Sequence, residues 1–182
     1  MSHPLEVFKY CPRCGSSRWA VNNFKSKHCA DCGFTYYANP SSATAAFIIR
    51  HPSPTTHQPS APELLVVRRA NEPARGTLDL PGGFVDMDED DQHAILREIR
   101  EETGLEVRSC RFLFTIPNVY RYSGMDIHTL DMFYLCEPQE GAEPIAADDA
   151  ADCQWIKLSD LNPDDFGLTS IRQAVARFLE SC

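Results

Sequence analysis

Between Gly83 and Leu105 the chain reads G-F-V-D-M-D-E-D-D-Q-H-A-I-L-R-E-I-R-E-E-T-G-L, and Glu98, Glu101 and Glu102 are the residues in it best able to do chemistry. On a helix turning roughly 100° per residue, the three carboxylates span about 100° of circumference. Ile95, Leu96 and Ile99 then occupy an adjacent sector and should face a core. Glu98 and Glu102 form an i,i+4 like-charge pair, which costs roughly a few tenths of a kcal/mol unless a cation sits nearby. Oxygen ligands grouped in this way suit Mg²⁺ or Mn²⁺, hard ions that keep several waters and bind substrate phosphates. The bland alternative is a solvated face in which Arg97 and Glu101 pair at i,i+4.

A second set of ligating residues lies near the amino terminus. Cys11-Pro-Arg-Cys14-Gly and Cys29-Ala-Asp-Cys32-Gly are two C-x-x-C-G knuckles separated by fourteen residues. Each can place two thiolates on one metal, and four thiolates suit a closed, tetrahedral, structural Zn²⁺ site. A rubredoxin-like iron site and a redox dithiol share this spacing. Such a site has no open coordination position, so it should fold the segment rather than catalyse. Cys110, Cys136 and Cys153 show no ligand spacing and are expected to pack as small apolar residues.

Gly83, Glu89, Arg97, Glu98, Ile99, Glu101, Glu102, Gly104 and Leu105 fit the pattern G-x5-E-x7-R-E-U-x-E-E-x-G-U at every fixed position, U being a bulky aliphatic residue. Leu80-Pro81-Gly82 stands just ahead of it. In this the chain resembles the Nudix hydrolases. The resemblance implies an α/β class fold: a Nudix α/β/α sandwich over residues 41–182, preceded by a small zinc ribbon over residues 1–40. It also implies that Glu98, Glu101 and Glu102 are catalytic metal ligands for Mg²⁺ or Mn²⁺, with the Gly83 carbonyl assisting. Arg97 is expected to pair with Glu89 and hold the loop against the helix. The general base is expected to be a motif glutamate, Glu101 or Glu102, with Asp148 and Asp149 of the acidic loop as the alternative.

A ribbon directly ahead of such a domain further resembles the NADH pyrophosphatase branch, as does the junction Cys29-Ala-Asp-Cys32-Gly-Phe-Thr-Tyr-Tyr-Ala-Asn-Pro40. That branch carries S-Q-P-W-P-F-P after the motif, where this chain has Phe114-Thr-Ile-Pro-Asn-Val-Tyr120. The departure leaves NADH specificity open. The chain is also expected to lack the extra amino-terminal domain that many of those enzymes carry. Hydrolysis of a nucleoside diphosphate linked to another group, of the ADP-ribose, NAD(H) or FAD kind, is the expected reaction. Release of pyrophosphate from a nucleoside triphosphate is the alternative, and a non-catalytic nucleotide sensor is an alternative of another class. Candidate substrate contacts are Arg68 or Arg69 at the end of an apolar strand, and Tyr120 and Tyr122, which could stack a base.

The elements that must position these residues follow from pattern. Apolar, strand-like runs cover Ala43–Arg50, Glu63–Ala70, Thr77–Leu80, Val107–Ile116, Ile127–Glu137 and Cys153–Leu158. The motif helix should start near Asp90, a good N-cap, and stop at Gly104, and a second helix should cover Ser170–Leu179. Residues 51–62, rich in proline, should form a mobile loop, with His51 and His57 exposed rather than ligating. Asp86, Asp88 and Asp91 should be solvated, and Trp155 should lie in the core.

The net charge of −9 is uneven: residues 1–40 hold five basic and two acidic side chains, and the other 142 residues hold 12 basic and 24 acidic. An acidic body argues against long nucleic acid as the main partner and leaves room for a small anionic nucleotide bridged by metal. No signal peptide or membrane span is recognisable, so a cytoplasmic protein is expected, with eight cysteines used as ligands or free thiols. A homodimer is left open.

Overall fold

The computed structural model describes residues 3–52, 61–147 and 149–181. His57, Asp148 and residues 53–60 of the proline-rich loop lie outside the described residues. Two compact units divide the chain: Met1–Ser41 with Val119–Thr129, and Ser42–Asn118 with Leu130–Cys182.

In the first unit, β1 (Trp19–Asn23), β2 (Ser26–Cys29) and β3 (Thr35–Tyr37) form a three-stranded antiparallel sheet in that order. So small a sheet buries little. Its apolar centre is Cys11, Trp19 and Cys29, with Cys32 and Phe34 packed against them and the Trp19 and Phe34 rings stacked at 6.2 Å. The strands themselves alternate poorly, which is why no strand is legible here from hydrophobic pattern.

The second unit is built on a six-stranded sheet, apart from the Val119–Thr129 stretch of two of its strands, which belongs to the first unit. Its strands are β4 (Ser41–Arg50), β5 (Glu63–Arg69), β6 (Leu78–Asp79), β7 (Val107–Tyr122), β8 (Met125–Pro138) and β9 (Ala150–Lys157). The order is β6-β5-β4-β8-β7, with β9 antiparallel to β5. The period-two alternation of β4 and β5 sorts the core into two layers. Ala45, Phe47, Ile49, Leu64 and Val66 pack with Ile171, Val175 and Phe178 of α2 (Thr169–Leu179). Ala46, Ile48 and Leu65 pack with Ile95 and Ile99 of α1 (Asp91–Thr103). The sheet is thus covered by one helix on each face, an α/β/α sandwich. Each fully buried Ile, Leu or Phe contributes roughly 1.5–3 kcal/mol by leaving water, so these layers dominate the stability.

Most of the expected elements are present with differences of extent: β9 begins at Ala150 rather than Cys153, and β6 covers only Leu78–Asp79. Strand β7 runs on to Tyr122 rather than ending at Ile116, and β8 begins at Met125. Pro117 did not stop β7 because β7 is the edge strand of the sheet, where a missing N–H is tolerated. Leu96, expected in the core, is instead exposed at 36%, while Ile95 and Ile99 are fully buried. Leu96 sits 100° round from Ile95, and the stripe that faces the sheet runs i, i+4, i+7 through Ile95, Ile99 and Glu102.

Candidate active site

The motif helix is set in place at both ends by its own sequence. Asp90 caps it, its carboxylate accepting from the His93 N–H at 2.8 Å, and Gly104 closes it in the left-handed region at φ 67°. The last carbonyls are not left to solvent. Thr103 O accepts from Ile145 N at 2.9 Å and Glu102 O from Ala147 N at 3.0 Å, so the acidic loop after β8 covers this end of α1. Near the other end, Tyr134 of β8 donates its hydroxyl to Asp91, which is therefore anchored to the core rather than solvated as expected.

The turn Leu80–Phe84 comes in along β4. Ala46 N donates to Pro81 O and Thr44 N to Gly83 O, each at 2.8 Å. The approach explains the two glycines. A Cβ on Gly82 would lie 2.1 Å from the Thr44 carbonyl oxygen, and one on Gly83 would lie 2.5 Å from Glu98 Oε1. The Gly83 carbonyl has one lone pair left for a ligand role once Thr44 has taken the other.

The three motif glutamates are held in three different ways. Glu102 continues the core-facing stripe, is only 7% exposed, and accepts from the Gly82 N–H at 3.0 Å. Burial pushes its carboxyl up to about 8; the Gly82 N–H opposes this, and the charges of Asp79, Glu98 and Asp149 add to it. Glu98 Oε1 and Glu101 Oε2 both accept from Arg97 Nη1, at 2.8 and 2.9 Å. Glu101 has the more exposed side chain, 45% against 14% for Glu98.

Arg97 is the hub of this arrangement. Its Nε and Nη2 form a two-pronged contact with Glu89 at 3.0 and 2.9 Å, and Nη2 also reaches Phe84 O at 3.0 Å. The hydrogen bonds from Arg97 hold the Glu89 carboxyl below the usual carboxylate range, and those from Glu89 raise the guanidinium. Its further contact with Glu98 and Glu101 has a simple electrostatic origin. Carboxylates packed this closely need a cation, and the guanidinium between them supplies one. Three carboxylates on one helix are donors of the kind a hard divalent ion takes; among the described residues only the four thiols of the first unit already converge on one point.

Of the candidate substrate contacts, Arg69 is engaged with Asp79 at 2.5 Å and Pro73 O at 2.8 Å. Asp79 is buried; burial raises its carboxyl, against the opposing pull of Arg69. Arg68 is exposed and donates to Gly76 O at 2.6 Å. Tyr120 and Tyr122 stack on each other at 6.2 Å and belong to the first unit, whereas the motif glutamates belong to the second. Asp149 accepts from Asn71 at 2.7 Å, and its charge acts on Glu102. Trp155 is partly buried against the α1 layer, with the Arg50 guanidinium 4.2 Å from its ring. Sequence reasoning missed the buried Asp131, which accepts from Asn118 at 3.1 Å. A lone acid in the apolar run Leu130–Phe133 was the available signal.

In the first unit the Sγ atoms of Cys11, Cys14, Cys29 and Cys32 all lie within 4.8 Å of one another. Cys11–Cys32 and Cys14–Cys29 are each 3.7 Å apart. Four thiolates about 2.3 Å from a zinc ion sit about 3.8 Å apart along the edges of a tetrahedron, so this donor set fits the ion. The amide N–H of Cys32, with that of Asp31, lowers the Cys29 thiol, while Cys14 is raised, so a proton on this set rests on Cys14 before Cys29.

An α/β/α sandwich with a glutamate-rich helix behind a Pro-Gly-Gly turn defines a class before any comparison is made. The NUDIX domain model matches residues 45–178, and the chain belongs to the Nudix family. The ADP-ribose pyrophosphatase of Methanocaldococcus jannaschii is 33% identical over 101 residues, covering 54% of this chain and 57% of that protein. An NAD-capped RNA hydrolase NudC of Haemophilus influenzae is 24% identical over 188 residues, covering 100% of this chain and 64% of that protein. The chain thus spans about three-fifths of the length of these curated relatives. The crystal structure of a NUDIX hydrolase from Nitrosomonas europaea superposes with a TM-score of 0.68 at 18% identity, covering 95% of this chain and 91% of that one, and shares the fold.

Proposed function

We propose that the chain is a Mg²⁺- or Mn²⁺-dependent pyrophosphatase. Its substrate is a nucleoside diphosphate linked to another group, of the ADP-ribose, NAD(H) or FAD kind. The observation that carries this reading is the intact carboxylate set on α1, organised by Arg97 and the Gly82 N–H. The names of the two curated relatives, one acting on ADP-ribose and one on NAD-capped RNA, agree with a dinucleotide-type substrate. Glu98, Glu101 and Glu102 would hold the divalent ion, with the Gly83 carbonyl assisting. When bound, the ion neutralises phosphate oxygens and orients the attacking water.

The chain's own residues do the rest. Glu89 and Arg97 lock the turn to the helix, so that the carboxylates meet the diphosphate from a fixed direction. Glu101 has the exposed side chain of the set and can take the proton of a water, with Asp149 as the alternative base. Glu102 is fixed by Gly82 and serves as the inner ligand. The four thiols of the ribbon would hold one Zn²⁺ and stabilise the first unit.

Mass-spectrometric product analysis over ADP-ribose, NADH, FAD, a capped RNA oligonucleotide and nucleoside triphosphates tests the assignment. A nucleoside monophosphate plus a second phosphorylated product is expected. A second reading, pyrophosphate release from a triphosphate, is favoured by the Phe114–Tyr120 segment. Phe114 packs in the α2 layer beneath Arg177, 4.0 Å from its ring, and Asn118 bonds Asp131, so this stretch is occupied in holding β7. A tenfold higher kcat/KM on triphosphates, about 1.4 kcal/mol in transition-state terms, would establish that reading. Binding without turnover of any compound would make the protein a sensor.

A further inference from the structure

Away from the motif and the ribbon, two nucleophilic side chains meet. Cys110 on β7 and Cys136 on β8 have Sγ atoms 2.8 Å apart. A disulfide places its sulfurs about 2.0 Å apart, so closure asks for movement of under about 1 Å between adjacent strands. The two thiols differ in access. Cys136 is fully buried in the layer beneath α1, whereas Cys110 is partly buried on the edge strand of the sheet. They differ in chemistry too. The contact with Cys136 lowers the Cys110 thiol below its ordinary value, and the same contact, with burial, raises Cys136. The sulfur on the edge strand is the one an oxidant can reach. Cys153 makes a poor competitor: its thiol faces the Glu102 carbonyl at 3.9 Å, and burial with the charges of Glu102 and Asp152 pushes it up to about 11.

We infer that Cys110 and Cys136 form an oxidation site, at which a hydroperoxide converts the two thiols into an intramolecular disulfide. The Cys110 thiolate attacks the outer oxygen of the hydroperoxide. The O–O bond breaks, Cys110 becomes a sulfenic acid, and the alkoxide or hydroxide that leaves takes up a proton. Cys136 sulfur then attacks Cys110 sulfur; the S–S bond forms, the S–O bond breaks, and water leaves with the Cys136 proton. The two sulfurs give up two electrons, and the O–O bond receives them. A dithiol reductant reverses the step by exchange. The new bond would lie in the layer that seats Ile95 and Ile99, beside Tyr134, whose hydroxyl holds Asp91 at the start of the motif helix.

The test uses the full, zinc-loaded chain, treated with hydrogen peroxide, alkylated and mapped without reduction by mass spectrometry. The expected result is one peptide pair joining Cys110 to Cys136, two hydrogens lighter than the sum of its parts and separated by dithiothreitol, with zinc retained. In the Cys136→Ser variant the sulfenic acid should persist on Cys110 and be trapped by dimedone, while in Cys110→Ser Cys136 should stay a thiol. Recovery of both cysteines as alkylated thiols, or linkage of Cys110 to any other cysteine, overturns the inference. Should either variant fail to fold, the map of the unaltered chain decides the question alone.

Discussion

The four cysteines and the three motif glutamates are both candidate ligand sets, and they are assembled by opposite means. The thiols close on one another, with two edges of 3.7 Å and all four sulfurs within 4.8 Å. Two of the glutamates are held by Arg97, and the third, buried Glu102, by the Gly82 N–H. A thiol can be neutral, so four can pack together before a metal arrives. Glu98 and Glu101 are partnered by the Arg97 guanidinium, and the buried Glu102 carboxyl is raised to about 8, so this set is held by hydrogen bonds to neighbours rather than by its members closing on one another. A closed set completes a small core that Trp19 and Phe34 alone cannot supply; an open set leaves positions for water and phosphate. The comparison separates a site that builds structure from one that can exchange ligands.

The largest expected effect falls on the closed set. Structural zinc sites contribute about 10–16 kcal/mol of metal-linked folding free energy in isolated peptides. Metal analysis should find about one zinc per chain, and Cys29→Ser should lose it together with amide protection of β1–β3. A chain that keeps that protection without metal would erase the contrast. Next in size is catalysis at the open set. Glu101→Gln or Glu102→Gln should lower kcat on the order of a thousandfold, about 4 kcal/mol, with the thermal transition little changed. Activity should vanish with a chelator and return with Mg²⁺ or Mn²⁺. Normal turnover in both variants would remove the site from α1.

Legibility in the sequence divided along the same line. The extent of the motif helix was readable because its signals are local: Asp90 as cap, Gly104 as stop, Ile95 and Ile99 at i,i+4. Strands β4 and β5 were readable because their apolar runs are buried on both faces. The strands of the first unit were not, since Val21 is 59% exposed and no apolar face repeats along that sheet. What Arg97 does was half legible. Its pairings with Glu89 and, at i,i+4, with Glu101 could be read from the sequence, but its contacts with Glu98 and the Phe84 carbonyl could not. The burial of Glu102 was legible in the i, i+7 spacing from Ile95, had the stripe been drawn through Glu102 rather than Leu96.

Arg97 allows the contrast to be tuned without deleting a ligand. Lysine keeps the charge but loses the fork that grips Glu89 while reaching Glu98 and Glu101. Charge-assisted hydrogen bonds of this kind contribute about 1.5–3 kcal/mol each where partly buried. Arg97→Lys should therefore lower the midpoint of thermal unfolding in the absence of Mg²⁺ by several degrees, and added Mg²⁺ should raise that midpoint more than it does in the unaltered chain. The reason is that the divalent ion then supplies cationic charge the guanidinium no longer delivers. Differential scanning calorimetry with and without Mg²⁺ reads both quantities. Equal Mg²⁺ shifts in the two proteins would show that Arg97 does not stand in for the ion.

The smallest effect separates holding the helix from serving the ion. Asp90 lies eight residues before Glu98, and its carboxylate accepts from the His93 N–H at 2.8 Å. That contact holds the Asp90 carboxyl below the usual carboxylate range, as expected for a cap at the positive end of a helix. Loss of such a cap costs about 1 kcal/mol, equivalent to roughly 2–4 °C in a chain of this size. Ile95 and Ile99 remain seated under the sheet, so α1 should fray only in its first turn and leave Glu98, Glu101 and Glu102 in place. Asp90→Ala should then melt slightly earlier with kcat and the Mg²⁺ requirement unchanged, and Asp90→Asn, which retains the acceptor, should recover most of the loss. If Asp90→Ala instead raised the Mg²⁺ concentration needed for half-maximal activity tenfold, the Asp90 carboxylate would belong to the open set, and the boundary between the helix's support and its chemistry would have to move one turn towards its start.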